Sequence, residues 1–98
     1  MEEIVLNLIM HSGDARSCAM EAIQSAKVGN FEKARELLEK SGEELGKAHI
    51  AQTSLIQKEA GGDKIEFSLL LAHAQDHLMT TITLKDLAAE IVELYSRV

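Results

Sequence analysis

The stretch Phe31–Leu55, FEKARELLEKSGEELGKAHIAQTSL, places Phe31, Ala34, Leu38, Ser41, Leu45, Ala48, Gln52 and Leu55 in steps of three and four. That spacing puts all eight on one side of a helix and predicts left-handed packing against other helices. The residues between them, Glu32, Lys33, Arg35, Glu36, Glu39 and Lys40, form the solvated face. Upstream, Gly29 suits a left-handed helix end. Asn30 suits an N-cap whose side chain accepts a free backbone N–H, with Glu32 in the favourable first turn. Downstream, Gly61 and Gly62 stop the helix, and Asp63 followed by Glu66 has the form of a capping box that opens the next one.

Two breaks divide the chain into three helices of about 25 to 32 residues, each about 40–45 Å long at 1.5 Å per residue. The chain contains no proline, only 3% aromatic residues and no tryptophan. Nothing kinks these helices, and their core must come from Leu, Ile, Val, Ala and Met. The absence of proline, and with it much of the usual turn chemistry, also argues against a β architecture. The fold class expected is all-α: an antiparallel three-helix bundle, up-down-up as in a spectrin repeat, with residues 1–98 as a single domain.

The first helix repeats Val5, Leu8, Ser12, Ala15, Ala19, Ala22 and Ala26 at the same spacing. Its seam narrows to small side chains and allows close helix approach. The third helix carries two apolar stripes. One holds Leu70, His73, His77, Thr81, Leu84, Ala88, Ile91 and Tyr95; the other holds Leu69, Ala72, Asp76, Met79, Thr83 and Leu87. Two neighbouring helices fully cover only one stripe, so the surplus predicts self-association through this helix.

The net charge of −6, with scattered basic residues, excludes a nucleic-acid surface. No apolar run is long enough to span a membrane, the N-terminal segment lacks the marks of a signal peptide, and the expected location is cytoplasmic. The single cysteine, Cys18, forms no internal disulfide and reads as a small buried helix residue.

Chemistry concentrates in His73-Ala74-Gln75-Asp76-His77. His73 and His77 are neighbours one turn apart, with Asp76 on the flank and Gln75 pointing elsewhere. A neutral imidazole offers a nucleophilic nitrogen while its other nitrogen is held by a hydrogen bond. Such a nitrogen can take up a phosphoryl group and pass it on, because that transfer rests on positioning and charge stabilisation. His77 could then stabilise phosphate oxygens. Asp76 is costly on an apolar stripe unless paired. Its copies would meet at a self-association axis, where like charges demand a cation or shared protons, and oxygen-only ligation would select magnesium or another hard cation over zinc. The bland reading, two semi-buried histidines and an outward aspartate, stays open. So do a zinc-binding bundle using His73 and His77, for which no fourth ligand is evident, and a structural coiled-coil adaptor. His49 reads as a core or interface histidine. His11 has no assigned role, and Arg16 reads as a surface residue or a partner of Asp14 or Glu21, its spacing alone not supporting a role toward phosphate.

The run His73-Ala74-Gln75-Asp76-His77-Leu78-Met79-Thr80 closely resembles the signature of the lactose and cellobiose (N,N'-diacetylchitobiose) family of phosphotransferase-system IIA proteins. The resemblance extends over almost the whole chain. It runs through Gly13, Ala15-Arg16-Ser17, Glu21-Ala22, Gly29 with Phe31, Ala48-His49, Gln52-Thr53, Leu55-Ile56, Glu59-Ala60 and Gly62. Ala72 stands where a valine or similar residue is usual. The resemblance implies a homotrimer of nine helices with His73 as the phosphorylated residue, a tele-phosphohistidine. It implies that the phosphocarrier HPr is the donor and that a IIB component, working with a membrane IIC component, is the acceptor. Asp76 matches an aspartate shared by three subunits around one divalent metal per trimer, and His77 matches a supporting histidine. The transported sugar implied is cellobiose or a related β-linked disaccharide, with lactose as the other option.

Overall fold

The computed structural model describes residues 2–98 and contains three helices: α1 (Glu2–Lys27), α2 (Phe31–Ala60) and α3 (Leu69–Ser96). They lie side by side in a rod of 52 × 20 × 15 Å, all-α as expected, with no strand among the described residues.

The first turn forms as its residues dictate. Gly29 adopts φ 81°, and the Asn30 side chain accepts from the Lys33 backbone N–H at 3.2 Å. The second turn differs from expectation. Gly62 adopts φ 103°, and the backbone N–H groups of Gly62 and Asp63 donate to Glu59 and Lys58 carbonyls, at 3.1 and 3.0 Å. Asp63 therefore closes the end of α2 and does not open α3, and the Asp63–Glu66 capping box does not form. Residues 63–68 run without helical structure, and the N-cap is Ser68, whose hydroxyl oxygen accepts from the Leu71 backbone N–H at 3.0 Å. Ile65 explains the delay: its apolar side chain packs against the core that Val5, Leu55 and Ala74 help build. An immediate helix would forgo that burial.

All seven seam positions of α1 are buried. Its alanines bring α2 so close that the Ser41 hydroxyl donates to the Ala15 carbonyl at 2.7 Å. The α2 seam is confirmed at Ala34, Ser41, Leu45, Ala48 and Leu55, with Leu37 added. Leu8 and Leu78 are fully buried where all three helices meet, and truncating either to alanine costs about 2–5 kcal/mol.

In α3 the inward line is Ala74, Leu78, Thr81, Ala88 and Val92. Only Thr81 and Ala88 of the first predicted stripe belong to it; His77, Leu84 and Tyr95 are half-buried at its edge, while Leu70, His73 and Ile91 are exposed. The second stripe faces outward: Leu69, Met79 and Leu87 are 83%, 53% and 55% exposed. Small Ala74 and Ala88 let α3 settle on that line, leaving the bulkier residues to either side. Helix α1 packs along both neighbours, whereas α2 and α3 meet over a shorter stretch.

Candidate functional site

His73 and His77 stand one turn apart near the start of α3, their rings stacked with centroids 6.1 Å apart and planes 12° from parallel. His73 is exposed and His77 half-buried. The outer ring is thus open to a reacting partner while the inner one leans on the protein. Gly13 of α1 faces the inner ring: a Cβ there would lie 3.7 Å from His77 Nε2.

Beside His77 a hollow opens between α1 and α3, lined by Arg16, His77, Thr80, Thr81 and Leu84. Arg16 is exposed and makes no ion pair with Asp14 or Glu21. The Thr80 hydroxyl sits 2.9 Å from the Asp76 carbonyl and 3.3 Å from that of His77, so its proton is committed to its own helix.

Asp76 projects from the exposed second stripe, and its carboxylate has no hydrogen-bond or ion-pair partner among the described residues. Gln75 turns the other way, as expected, and accepts from Gln52 Nε2 at 2.7 Å, tying α3 to α2. That contact gives the polar Gln52 of the α2 seam a role.

The remaining candidates sit elsewhere. His49 is exposed, not in the chain's core, above a shallow depression bordered by Leu45, Ile82 and Lys85. Cys18 is buried, and that burial pushes its thiol pKa up, away from nucleophilic behaviour. His11 belongs to a group that helix periodicity does not reveal. Its Nδ1 lies 2.6 Å from Glu44 Oε2 across the α1–α2 groove, and donor atoms of His11, Asp14 and Glu44 all lie within 4.8 Å of one another. The hydrogen bond from His11, with a weaker one from Lys47, holds the Glu44 carboxyl below its ordinary range. His11 and Asp14 are i, i+3 neighbours on α1, but only the pairing of α1 with α2 adds Glu44, so local spacing could not have found the whole group.

No described helix is long and apolar enough to cross a membrane. Residues 3–96 match the family described as PTS system, Lactose/Cellobiose specific IIA subunit. The chain is 57% identical over 98 residues to the lichenan-specific phosphotransferase enzyme IIA component of Bacillus subtilis (strain 168), covering 100% of this chain and 89% of that protein. It is 44% identical over 97 residues to the N,N'-diacetylchitobiose-specific EIIA component of Escherichia coli (strain K12), covering 99% and 84%. The crystal structure of the PTS cellobiose-specific enzyme IIA from Bacillus anthracis superimposes with a TM-score of 0.96 at 54% identity, covering 98% of this chain and 88% of that one. The solution structure of the IIA(chitobiose)–HPr complex of Escherichia coli gives 0.85 at 44% identity, covering 98% and 93%. The fold and these matches define a helical component of the sugar phosphotransferase system. The chain belongs to its lactose/cellobiose-specific IIA family.

Proposed function

We propose that this chain is a phosphohistidine carrier in which His73 accepts a phosphoryl group from HPr and yields it to a IIB component that works with membrane-bound IIC. The observation that carries this reading is the stacked pair: an exposed nucleophilic imidazole braced against a second, half-buried one. As the N–P bond of the donor phosphohistidine breaks, Nε2 of His73 forms the new one. In the second step the His73 N–P bond breaks as a nucleophile of IIB forms its own bond to phosphorus, leaving His73 free again. Positioning and charge stabilisation suffice for such a step, and His77 supplies a neighbouring polar nitrogen. HPr as donor is supported by the solution complex of the 44% identical relative. The relatives named for lichenan, N,N'-diacetylchitobiose and cellobiose support a β-linked disaccharide as the transported sugar.

The same reading takes the exposed Leu69–Met79–Leu87 face as the contact of a homotrimer, with Asp76 at its axis. An unpaired carboxylate among exposed apolar side chains fits a shared hard cation such as Mg²⁺: it offers oxygen ligands only, and each chain contributes one. Such an ion would neutralise the axial charge and take no part in the transfer.

The test is phosphate transfer from phosphoenolpyruvate through Enzyme I and HPr, followed by intact mass and acid lability. Wild type should gain one acid-labile phosphate and His73→Ala none. An unmodified wild type in the presence of fully charged HPr would overturn the assignment.

A further inference from the structure

We propose that Arg16 is a charge-positioning residue of the phosphorylated site, its guanidinium holding oxygens of the phosphoryl group on His73 from across the α1–α3 groove. The inference rests on the phosphocarrier reading above and adds a residue from a different helix to the site.

The need is electrostatic. A phosphoryl group brings about −1.5 to −2 charges to a chain already at −6, within one helical turn of the unpaired Asp76 carboxylate. Phosphoryl transfer requires that charge to be balanced by groups fixed in advance. Of the side chains lining the hollow beside His77, Arg16 is the one cation. Thr80 cannot replace it, because its hydroxyl proton is committed to backbone carbonyls at 2.9 and 3.3 Å. Thr81 is buried and Leu84 apolar.

The geometry fits. Helices α1 and α3 run parallel as the first and third members of the bundle, and Gly13 stands level with the His77 ring, a Cβ there lying 3.7 Å from Nε2. Arg16, three residues on, shares that side of α1, and helix side chains lean toward their N-terminus. The hollow that Arg16 lines runs from His77 toward Thr80 and Leu84, and the His77 ring stacks on His73, so the guanidinium meets a phosphoryl group on His73 by swinging past His77 toward the start of α3. Gly13 keeps that route free of side-chain bulk. Having no carboxylate partner, Arg16 is available, and its planar fork suits phosphate oxygens better than an ammonium does.

The experiment compares wild type, Arg16→Gln and Arg16→Lys, each charged by HPr and then freed of it. The readouts are the transfer rate, the lifetime of the isolated phosphoprotein and the pH titration of its ³¹P resonance. Expected for Arg16→Gln are a transfer rate lower by about 10- to 100-fold, a changed phosphohistidine lifetime and a ³¹P titration displaced to higher pH. Arg16→Lys should recover part of each, and thermal stability should be unchanged in both. An unaltered lifetime and ³¹P titration in Arg16→Gln overturn the proposal. This holds even if transfer from HPr slows, since Arg16 would then serve the docking partner and not the phosphate. A wild type that takes up no phosphate fails the carrier reading itself, an outcome visible before any variant is made.

Discussion

Gly13 on α1 and His77 on α3 face each other across the groove, with room for one methyl group at ordinary contact distance, 3.7 Å from His77 Nε2. Stability and function separate at this position. Glycine inside a helix costs about 1 kcal/mol relative to alanine, so Gly13→Ala should raise the melting temperature by about 4–8 °C. The same methyl covers His77 Nε2 and should slow phosphate uptake. Thermal melts and transfer assays on one sample check both. A drop in melting temperature would mean that the helices cannot absorb the methyl.

Replacing His77 while keeping His73 separates support from acceptance. His77→Ala should still take up one acid-labile phosphate, at a rate lower by about 100-fold, the scale of losing one fixed stabilising donor. Intact mass over a time course reads it. Complete loss of labelling in a folded His77→Ala would make the inner ring the acceptor.

Acid should loosen the α1–α2 groove through Glu44. The His11 hydrogen bond holds its folded-state pKa below the ordinary 4.5. The stability this contributes is complete above that value. It declines as pH falls from 4.5 toward the lowered folded value, where the folded state protonates too. His11→Ala removes the bond and should cost about 1 kcal/mol at pH 7, with less difference from wild type in strong acid. Denaturant melts at pH 7 and at successively lower pH measure the gap, and a gap that does not shrink as the folded state is carried through Glu44 protonation would contradict the assignment.

Ser12 is fully buried, and its hydroxyl has no hydrogen-bond partner among the described residues. An unpaired buried hydroxyl is a liability, so Ser12→Ala should stabilise the bundle by about 1 kcal/mol. Destabilisation in a chemical melt would reveal that the hydroxyl is satisfied after all.

On the outward face of α3, Asp76→Leu exchanges a carboxylate for apolar volume beside Leu69, Met79 and Leu87. If three copies meet there, the variant should keep the trimer or strengthen it by about 1–4 kcal/mol and lose its dependence on divalent cations. Sedimentation with and without chelator distinguishes this from an Asp76 that simply faces water, for which the variant changes neither.

Much of this was legible in the sequence because it is local. The α1 seam, the Gly29–Asn30 turn and the His73–His77 pair are fixed by residues within one or two turns of each other. What escaped depends on distant parts of the chain. Asp63 and Ser68 are equally competent caps. The choice was made by Ile65, whose burial requires Val5 and Leu55 to be in place already. The α3 inward line was displaced because Ala74 and Leu78 carry less obvious pattern than the long stripes beside them. Arg16 and His77, sixty-one positions apart, meet only through the packing of α1 on α3.

The late start of α3 has an electrical consequence. With Ser68 as cap, His73 is the fifth residue of the helix, and its side chain leans back over the first turn. On the carrier reading proposed above, a phosphoryl group on that side chain would meet the remaining free amides and the positive pole of the helix, an attraction of about 0.3–1 kcal/mol.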